Sequence, residues 1–531
     1  MKPPKIPTLS SNGSQAFTNL DKANLIAESL KTKFTEHPED NRYSIKNEID
    51  NFRIPKITAD APSITSDIVS FTIDEMKPGK SPGYDGICCK TLKLLDVNAI
   101  EYITRLFNSI LKLQYFPKAW KSGIVAVLPK PGKPPHCPNS YRPITLLPTI
   151  GKVFERCLLE KLLQIEKRLS VLPDEQHGFR KGHSCSTQLA RVTDAIIRKY
   201  NCGKHIIMTA LDVEAAFDKV PHKYLLYKMS KFHFPDWVIV LLHSYFSDRA
   251  ARVRIEDELS NPLPLEAGTP QGGLLSPFLY SIYTADIPTN PTNTMTALYA
   301  DDTLQITTTD GPLLAEIDAN YALHSLECFL KKWKIKVNGS KSNAIVISQK
   351  DKGCNPNLLI SGSQINISRQ LTYLGVQFDD QLLWDVHTKS MLGKAKRRTA
   401  MLISHIKDLP ASSETKTLFY TTYIRPILTY GAAAWGGIPR SKMEHLLRFE
   451  RKWIRIILGV PRYAKRSTYL GNAPFPLLDT MVRNELRRLL DSTYHHNNPT
   501  VRQLGTLPVT GGRRRHPLWR ANGDGGSSHN T

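Results

Sequence analysis

The stretch from Ile206 to Val213, I-I-M-T-A-L-D-V, is an apolar run of strand length in which polar residues do not alternate. A strand with no polar face belongs in the middle of a sheet, covered by protein, and this limits the chain to folds built around one central strand. The run also ends in Asp212. An unpaired charge at the end of a buried strand is costly, so packing does not account for a carboxylate there. Asp212 is expected to emerge at the carboxyl end of the central strand and to have a chemical use.

Residues 297–305 read A-L-Y-A-D-D-T-L-Q, and the segment from Met295 to Thr307 reads as a hairpin with Asp301 and Asp302 at its tip. Taken alone, adjacent acids in a turn read as a solvated turn. Beside Asp212, three carboxylates would converge, and they would repel one another unless a cation joined them. The formal net charge of +23 adds a second constraint. A chain this basic points to a polyanionic partner, nucleic acid first, with plain solubility as the alternative. Magnesium takes all-oxygen ligands, and two such ions about 3.5–4 Å apart serve in-line phosphoryl displacement. The carboxylates and the charge together point to nucleotidyl transfer on a basic scaffold.

At 531 residues the chain exceeds a single core, so several packed subdomains are expected. Residues 1–60 form a polar N-terminal extension with an amphipathic segment from Lys22 to Phe34. Residues 61–390 form the next region, in which helices and short strands alternate from about Phe71 to about Asp380. They include an apolar helix from Leu274 to Ile282 after the loop Gly268-Thr-Pro-Gln-Gly-Gly, and a strand pair around Asn343 to Ser348 and Leu371 to Phe378. A helical and basic texture runs from about Trp384 to Gly459, and residues 391–500 are set apart as a helical basic C-terminal region. Residues 501–531, with Gly511-Gly-Arg-Arg-Arg and Gly-Asp-Gly-Gly-Ser-Ser, read as a flexible basic tail.

Lys130 and Arg142 are cations in expected loops that could meet a triphosphate. The glycine-rich loop could bring backbone close to a ligand, or could be a plain helix-entry turn. Phe217, five residues past Asp212, is open between core packing and a role at the site. None of the eight cysteines falls in a C-x-x-C pair or near a matching histidine pair, so no zinc module is expected and a reducing compartment fits. The opening Met-Lys-Pro-Pro-Lys has no apolar core of a secretory signal, and no apolar run has membrane length. A soluble intracellular protein without a membrane partner is expected.

Seven stretches, in order, resemble the reverse transcriptases of non-LTR (LINE-type) retrotransposons, above all the jockey-like clade. They are S-P-G-Y-D-G-I (81–87), Y-R-P-I-T-L-L-P-T-I-G-K-V-F-E-R (141–156), Q-H-G-F-R-K-G-H-S-C (176–185), L-D-V-E-A-A-F-D-K-V (211–220), G-T-P-Q-G-G-L-L-S-P (268–277), Y-A-D-D (299–302) and Y-L-G-V-Q-F (373–378). The resemblance implies an α+β right-hand polymerase fold, with fingers, a palm carrying an antiparallel sheet, and a helical thumb. It implies an RNA-directed DNA polymerase that copies an RNA template from a DNA primer or target DNA with dNTPs.

The resemblance carries Asp212, Asp301 and Asp302 over as ligands of two Mg2+ ions, Mn2+ being a substitute, with the backbone carbonyl of Val213 assisting. Lys341 matches the lysine that protonates leaving pyrophosphate. Lys130 and Arg142 would hold the triphosphate, and Phe217 would exclude a ribose 2′-hydroxyl. Gln271 and Gly272 would line the nucleotide pocket, and Tyr373, Leu374 and Gly375 belong to the hairpin that grips the primer. Asp212 and Asp301 are expected to carry most of the metal chemistry, because neighbours at a hairpin tip need not point the same way.

The resemblance further implies an element-encoded RNA-binding protein as a partner, and residence in nucleus and cytoplasm. The chain starts almost at the polymerase, so the N-terminal endonuclease of full-length elements is expected to be lacking. Three other readings stand beside the polymerase: a catalytically decayed nucleic-acid-binding remnant, an RNA-templated RNA polymerase, against which Phe217 argues, and a group II intron maturase.

Overall fold

The run beginning at Ile206 forms the middle of a sheet. In this computed structural model, residues 6–11, 14–57, 61–289, 291–350, 353–407, 412–505, 514 and 516–518 are described. Strand His205–Leu211 is third of five, in the order Asn366–Ile367, Asn343–Ile347, His205–Leu211, Asp302–Thr309, Thr294–Tyr299. Only the first pair is parallel. Successive side chains of the central strand face opposite ways, yet Ile206, Ile207, Met208, Thr209 and Leu211 are all buried. Helix Cys185–Asn201 shares one of these cores through Leu189, Val192 and Ile196. Its first turn is closed by a reciprocal cap between Ser184 and Thr187.

The chain divides into two units, each assembled from three separated stretches. One comprises Met1–Pro173, Val213–Ile287 and Glu327–Lys336; the other comprises Asp174–Asp212, Pro288–Leu326 and Val337–Thr531. The five-stranded sheet above belongs to the second.

The first unit has its own sheet, in which Ser122–Pro129 runs antiparallel to Tyr141–Leu146 and parallel to Ala250–Ile255. The amphipathic N-terminal segment forms helix Asn19–Lys31, entered through Thr18, whose hydroxyl accepts the Asp21 N–H. Its Ile26 and Leu30 share a core with Val253 and Ile255 of that sheet, so this helix of the N-terminal extension is built into the unit. A second core gathers Phe107, Phe116, Trp120, Phe154 and Tyr245, whose rings meet largely edge to face.

Several expectations shift. Arg142 lies on strand Tyr141–Leu146, paired with Leu128, and not in a loop. The apolar helix starts at Ser276, because Pro277 fits the first turn of a helix and not its interior. Asn343–Ile347 pairs with the central strand, while Leu371 to Phe378 is no single strand: it folds back as Gln370–Tyr373 and Val376–Asp379.

The basic region is helical, with Asp385–Lys407 and Arg440–Leu458 as its long members, the latter ended by Gly459 at φ 67°. Most of the tail, including Gly511 to Arg513 and the Gly-Asp-Gly-Gly-Ser-Ser run, lies outside the described residues, as does the Met-Lys-Pro-Pro-Lys start. Where the tail is described it is packed: Leu518 is buried, and the Arg514 N–H donates to the Asn201 side chain at 3.0 Å.

Candidate active site

Register brings the carboxylates to one end of the sheet. Thr303 pairs with Leu211 and Thr303 also with Leu298, so Asp212 and Asp302 leave the ladder at the same end. Between Tyr299 and Asp302 the hairpin turns through Ala300 and Asp301, with Ala300 at φ 56°. Asp301 is thus at the tip, while Asp302 opens the returning strand. Asp212 is fixed by its backbone: its carbonyl accepts the Asn338 N–H at 2.8 Å, and its N–H donates to Ser342 Oγ at 3.2 Å. The turn that makes these bonds also carries Lys341, whose Nζ is 3.7 Å from Asp212 Oδ2. Both side chains are exposed, so the pair contributes orientation more than stability.

The three carboxylates feel one another. Burial raises Asp301, and the charge of Asp212 adds to it. Asp302, although exposed, is pushed up to about 6, first by partial desolvation of its carboxyl and then through the charges of Asp301 and Asp212. The neighbour expected to matter less therefore stands in the field of both others.

The hairpin rests on the Q-H-G-F segment, a motif whose mechanical role is not legible in its residues. Gln176 lies beside Leu298 as an extra, parallel bridge. The His177 N–H donates to the Leu298 carbonyl at 3.0 Å, and Leu298 donates back to Glu175 at 3.1 Å. The Gln176 side-chain oxygen accepts N–H groups from Gly178 at 2.8 Å and Ala300 at 3.0 Å. Gly178 runs so close to the turn that a Cβ there would overlap the Ala300 nitrogen. The signal available in the sequence was a glycine two residues after a glutamine, which suits a close backbone approach.

The donor set suits magnesium in kind, since it offers only oxygen, and the mutual repulsion of three carboxylates is what a divalent cation relieves. Within the second unit, Asp212, Asp301 and Asp302 are the groups that would hold it. Among the described residues no three His, Cys, Asp or Glu are placed so that they could hold a metal ion as they stand.

The division between the units passes between Asp212 and Val213. Asp212, Asp301, Asp302, Lys341, Tyr373, Leu374 and Gly375 fall in one unit; Val213, Lys130, Arg142, Phe217, Gln271 and Gly272 fall in the other. Within the latter, Val213 and Phe217 are half-buried. The Phe217 ring packs on Tyr280 with centroids 4.7 Å apart, and its carbonyl accepts the Thr269 N–H at 2.8 Å. Gln271 is tied on two sides: its side chain donates to Asp218 at 2.6 Å and its carbonyl accepts the Thr145 N–H at 2.8 Å. Gly272, at φ 115°, would overlap the Thr145 carbonyl if it carried a Cβ, so this glycine admits the chain's own backbone.

Lys130 sits in a loop, its Nζ donating to the Asn139 carbonyl at 3.0 Å, and Arg142 is exposed. Asp218, which sequence reasoning passed over, is buried and raised to about 6 by burial, an effect that Gln271, Lys33, Lys219 and Lys130 oppose. Of the three hairpin residues, Tyr373 is buried in the core, Leu374 is half-buried and only Gly375 is exposed. Tyr373 anchors the turn and does not present its ring to a ligand.

Residues 128–378 match the family described as reverse transcriptase (RNA-dependent DNA polymerase). The chain is 30% identical over 524 residues to a probable RNA-directed DNA polymerase from transposon BS of Drosophila melanogaster, covering 96% of this chain and 57% of that protein. It is 29% identical over 521 residues to the RNA-directed DNA polymerase from mobile element jockey of the same organism, covering 95% of this chain and 56% of that one. A probable RNA-directed DNA polymerase from transposon X-element is 30% identical over 523 residues, covering 97% of this chain and 57% of its own length. The chain therefore spans a little over half the length of these curated relatives. No helix among the described residues is long and apolar enough to cross a membrane.

Proposed function

We propose, on the match of residues 128–378 to the reverse transcriptase family, that the chain is an RNA-directed DNA polymerase of a jockey-like non-LTR retrotransposon, extending a DNA primer on an RNA template with dNTPs. The observation that carries this reading is the delivery of Asp212, Asp301 and Asp302 to one end of a single sheet, with Lys341 beside Asp212. In the right-hand description, that sheet is the palm, and the basic helices from about 391 to 500 are the thumb.

The reaction joins the primer 3′-oxygen to the α-phosphorus of a dNTP and breaks the bond to pyrophosphate. Magnesium, or manganese in its place, would make the primer hydroxyl a better nucleophile and neutralise charge on the departing pyrophosphate. The protein's share is positioning and electrostatics. Backbone bonds from Asn338 and to Ser342 hold Asp212 without spending its carboxylate oxygens. Gln176 and Gly178 hold the turn that presents Asp301. Lys341 is the group placed to return a proton to pyrophosphate.

In the other unit, Phe217 and Gln271 are braced by Tyr280 and Asp218 to meet a deoxyribose and a base, and Lys130 and Arg142 supply cations for the triphosphate. The Phe217 ring, standing where the 2′-hydroxyl of a ribose would come, would restrict the substrate to dNTPs. A chain with this function acts where its RNA and its target DNA are, in cytoplasm and nucleus.

The test is primer extension by the purified chain on an RNA template with magnesium, wild type against Asp301→Asn. Extension should be lost in the variant, by about 10³-fold or more, with template–primer affinity kept. Extension retained in the variant overturns the role of Asp301. Tight binding without synthesis by the wild type overturns the polymerase reading in favour of a binding remnant.

A further inference from the structure

The turn at Leu374–Gly375 has a shape that one of its residues resists. Both stand at positive φ, 44° and 75°, as a two-residue hairpin loop requires to follow the twist of its strands. Gly375 takes that conformation freely. Leu374 carries a Cβ, and a left-handed backbone is unfavourable for such a residue.

The turn is held from outside. The Tyr430 hydroxyl donates to the Leu374 carbonyl at 2.8 Å. The same ring lies against Gly375, where an added Cβ would sit 3.1 Å from Tyr430 Cε1. Tyr430 is itself fixed, because the indole N–H of the fully buried Trp435 donates to its carbonyl at 2.8 Å. The next residue, Gly431, runs so close to Val376 that a Cβ there would overlap the valine side chain.

The same Tyr430 hydroxyl meets the Cys185 thiol, which also meets Tyr299, two residues before Asp301. It also lies within electrostatic reach of Asp302. A residue in these surroundings is normally buried, yet Tyr430 is 46% exposed. Asp302 is one of the carboxylates beside which a strand whose hydroxyl reacts has to end.

We propose that Tyr430 is a positioning residue that latches the Tyr373–Val376 turn in the shape that receives the end of the primer. The inference rests on the polymerase reading above. The latch is a hydroxyl bond to a carbonyl, and its job is to keep Leu374 in a conformation the residue would otherwise leave.

The experiment compares full-length wild type, Tyr430→Phe, Leu374→Gly and the double variant. Tyr430→Phe keeps the ring and removes only the hydroxyl. It should weaken binding of an RNA-template/DNA-primer duplex, and raise the KM for that duplex, by about five- to tenfold, the worth of one hydrogen bond. The KM for dNTP should stay within about twofold, since the latch does not touch the nucleotide-pocket residues. Glycine at 374 adopts the turn unaided, so Leu374→Gly should restore most of what Tyr430→Phe loses.

Unchanged duplex binding in Tyr430→Phe overturns the latch, and so does a loss that Leu374→Gly deepens. A shift in the dNTP KM alone overturns it as well. If the wild type binds duplex but does not extend it, the polymerase reading falls, and the duplex affinities of the four proteins still decide the latch.

Discussion

Asp218 shows how a single side chain can oppose the ordinary behaviour of its type. Most carboxylates in folded proteins titrate low because a cation or an N–H group favours their charged form. Asp218 is buried, and although Lys33, Lys219 and Lys130 all favour its charge, desolvation outweighs them and lifts it to about 6. A folded value above the unfolded one means that the protonated form stabilises the fold. That contribution is complete below about pH 4 and is lost as pH rises through about 6.

In Asp218→Asn the dependence should vanish while the bond from Gln271 keeps an oxygen to accept it. Urea titrations should therefore show the variant gaining on wild type between about pH 4 and pH 7, by up to about 3 kcal/mol. A difference that stays constant across that range would refute the assignment. The charge that Asp218 takes on near neutrality also lies next to Gln271, so activity in the same range should report the same group.

At the scale of elements, the hairpin that carries Asp301 depends on a strand-like segment far from it in sequence. Gly178→Ala places a methyl group where the Ala300 nitrogen lies, and backbone on both sides cannot yield as a flexible side chain would. Overpacking of this kind costs typically 1–3 kcal/mol. The expected outcome is a chain that still binds template–primer but extends it at least tenfold more slowly, seen as a fall in kcat without a matching change in duplex affinity. Normal extension by Gly178→Ala would show that the turn does not need this support.

Legibility follows the same line. The central strand, the hairpin and its acidic tip could be read from the residues because each is a local pattern: an unbroken apolar run, an alternation, a break in it. What could not be read was pairing across the chain. The partner of Asn343–Ile347 and the seating of the hairpin on Gln176 both depend on register between distant segments, which no local period encodes. Asp218 and Tyr430 escaped for the same reason, since neither differs from an ordinary surface residue until its neighbours are known.

Over the whole molecule the dominant quantity is the charge of +23. It coexists with a local excess of carboxylates at Asp212, Asp301 and Asp302, so the positive charge resides elsewhere, much of it on the helices Asp385–Lys407 and Arg440–Leu458. Nucleic acid held by phosphate contacts releases counterions on binding. With 6–10 such contacts, affinity should fall by about 10³- to 10⁵-fold between 50 and 200 mM salt. Fluorescence anisotropy with a labelled template–primer measures this directly, and a flat salt response would remove the electrostatic account of the basic helices.

The two units interleave along the chain, with the polypeptide passing between them at residues 173, 212, 287, 326 and 336. Heredity acts on this protein in linear order, and that order does not respect its architecture. A copy that lost everything after Lys336 would keep each stretch of the first unit and would lose Lys341, the strand beside Asp212 and the turn at Leu374 together. A copy that lost its first 212 residues would retain neither unit whole. Truncation at either of these points therefore breaks a unit that the proposed synthesis needs.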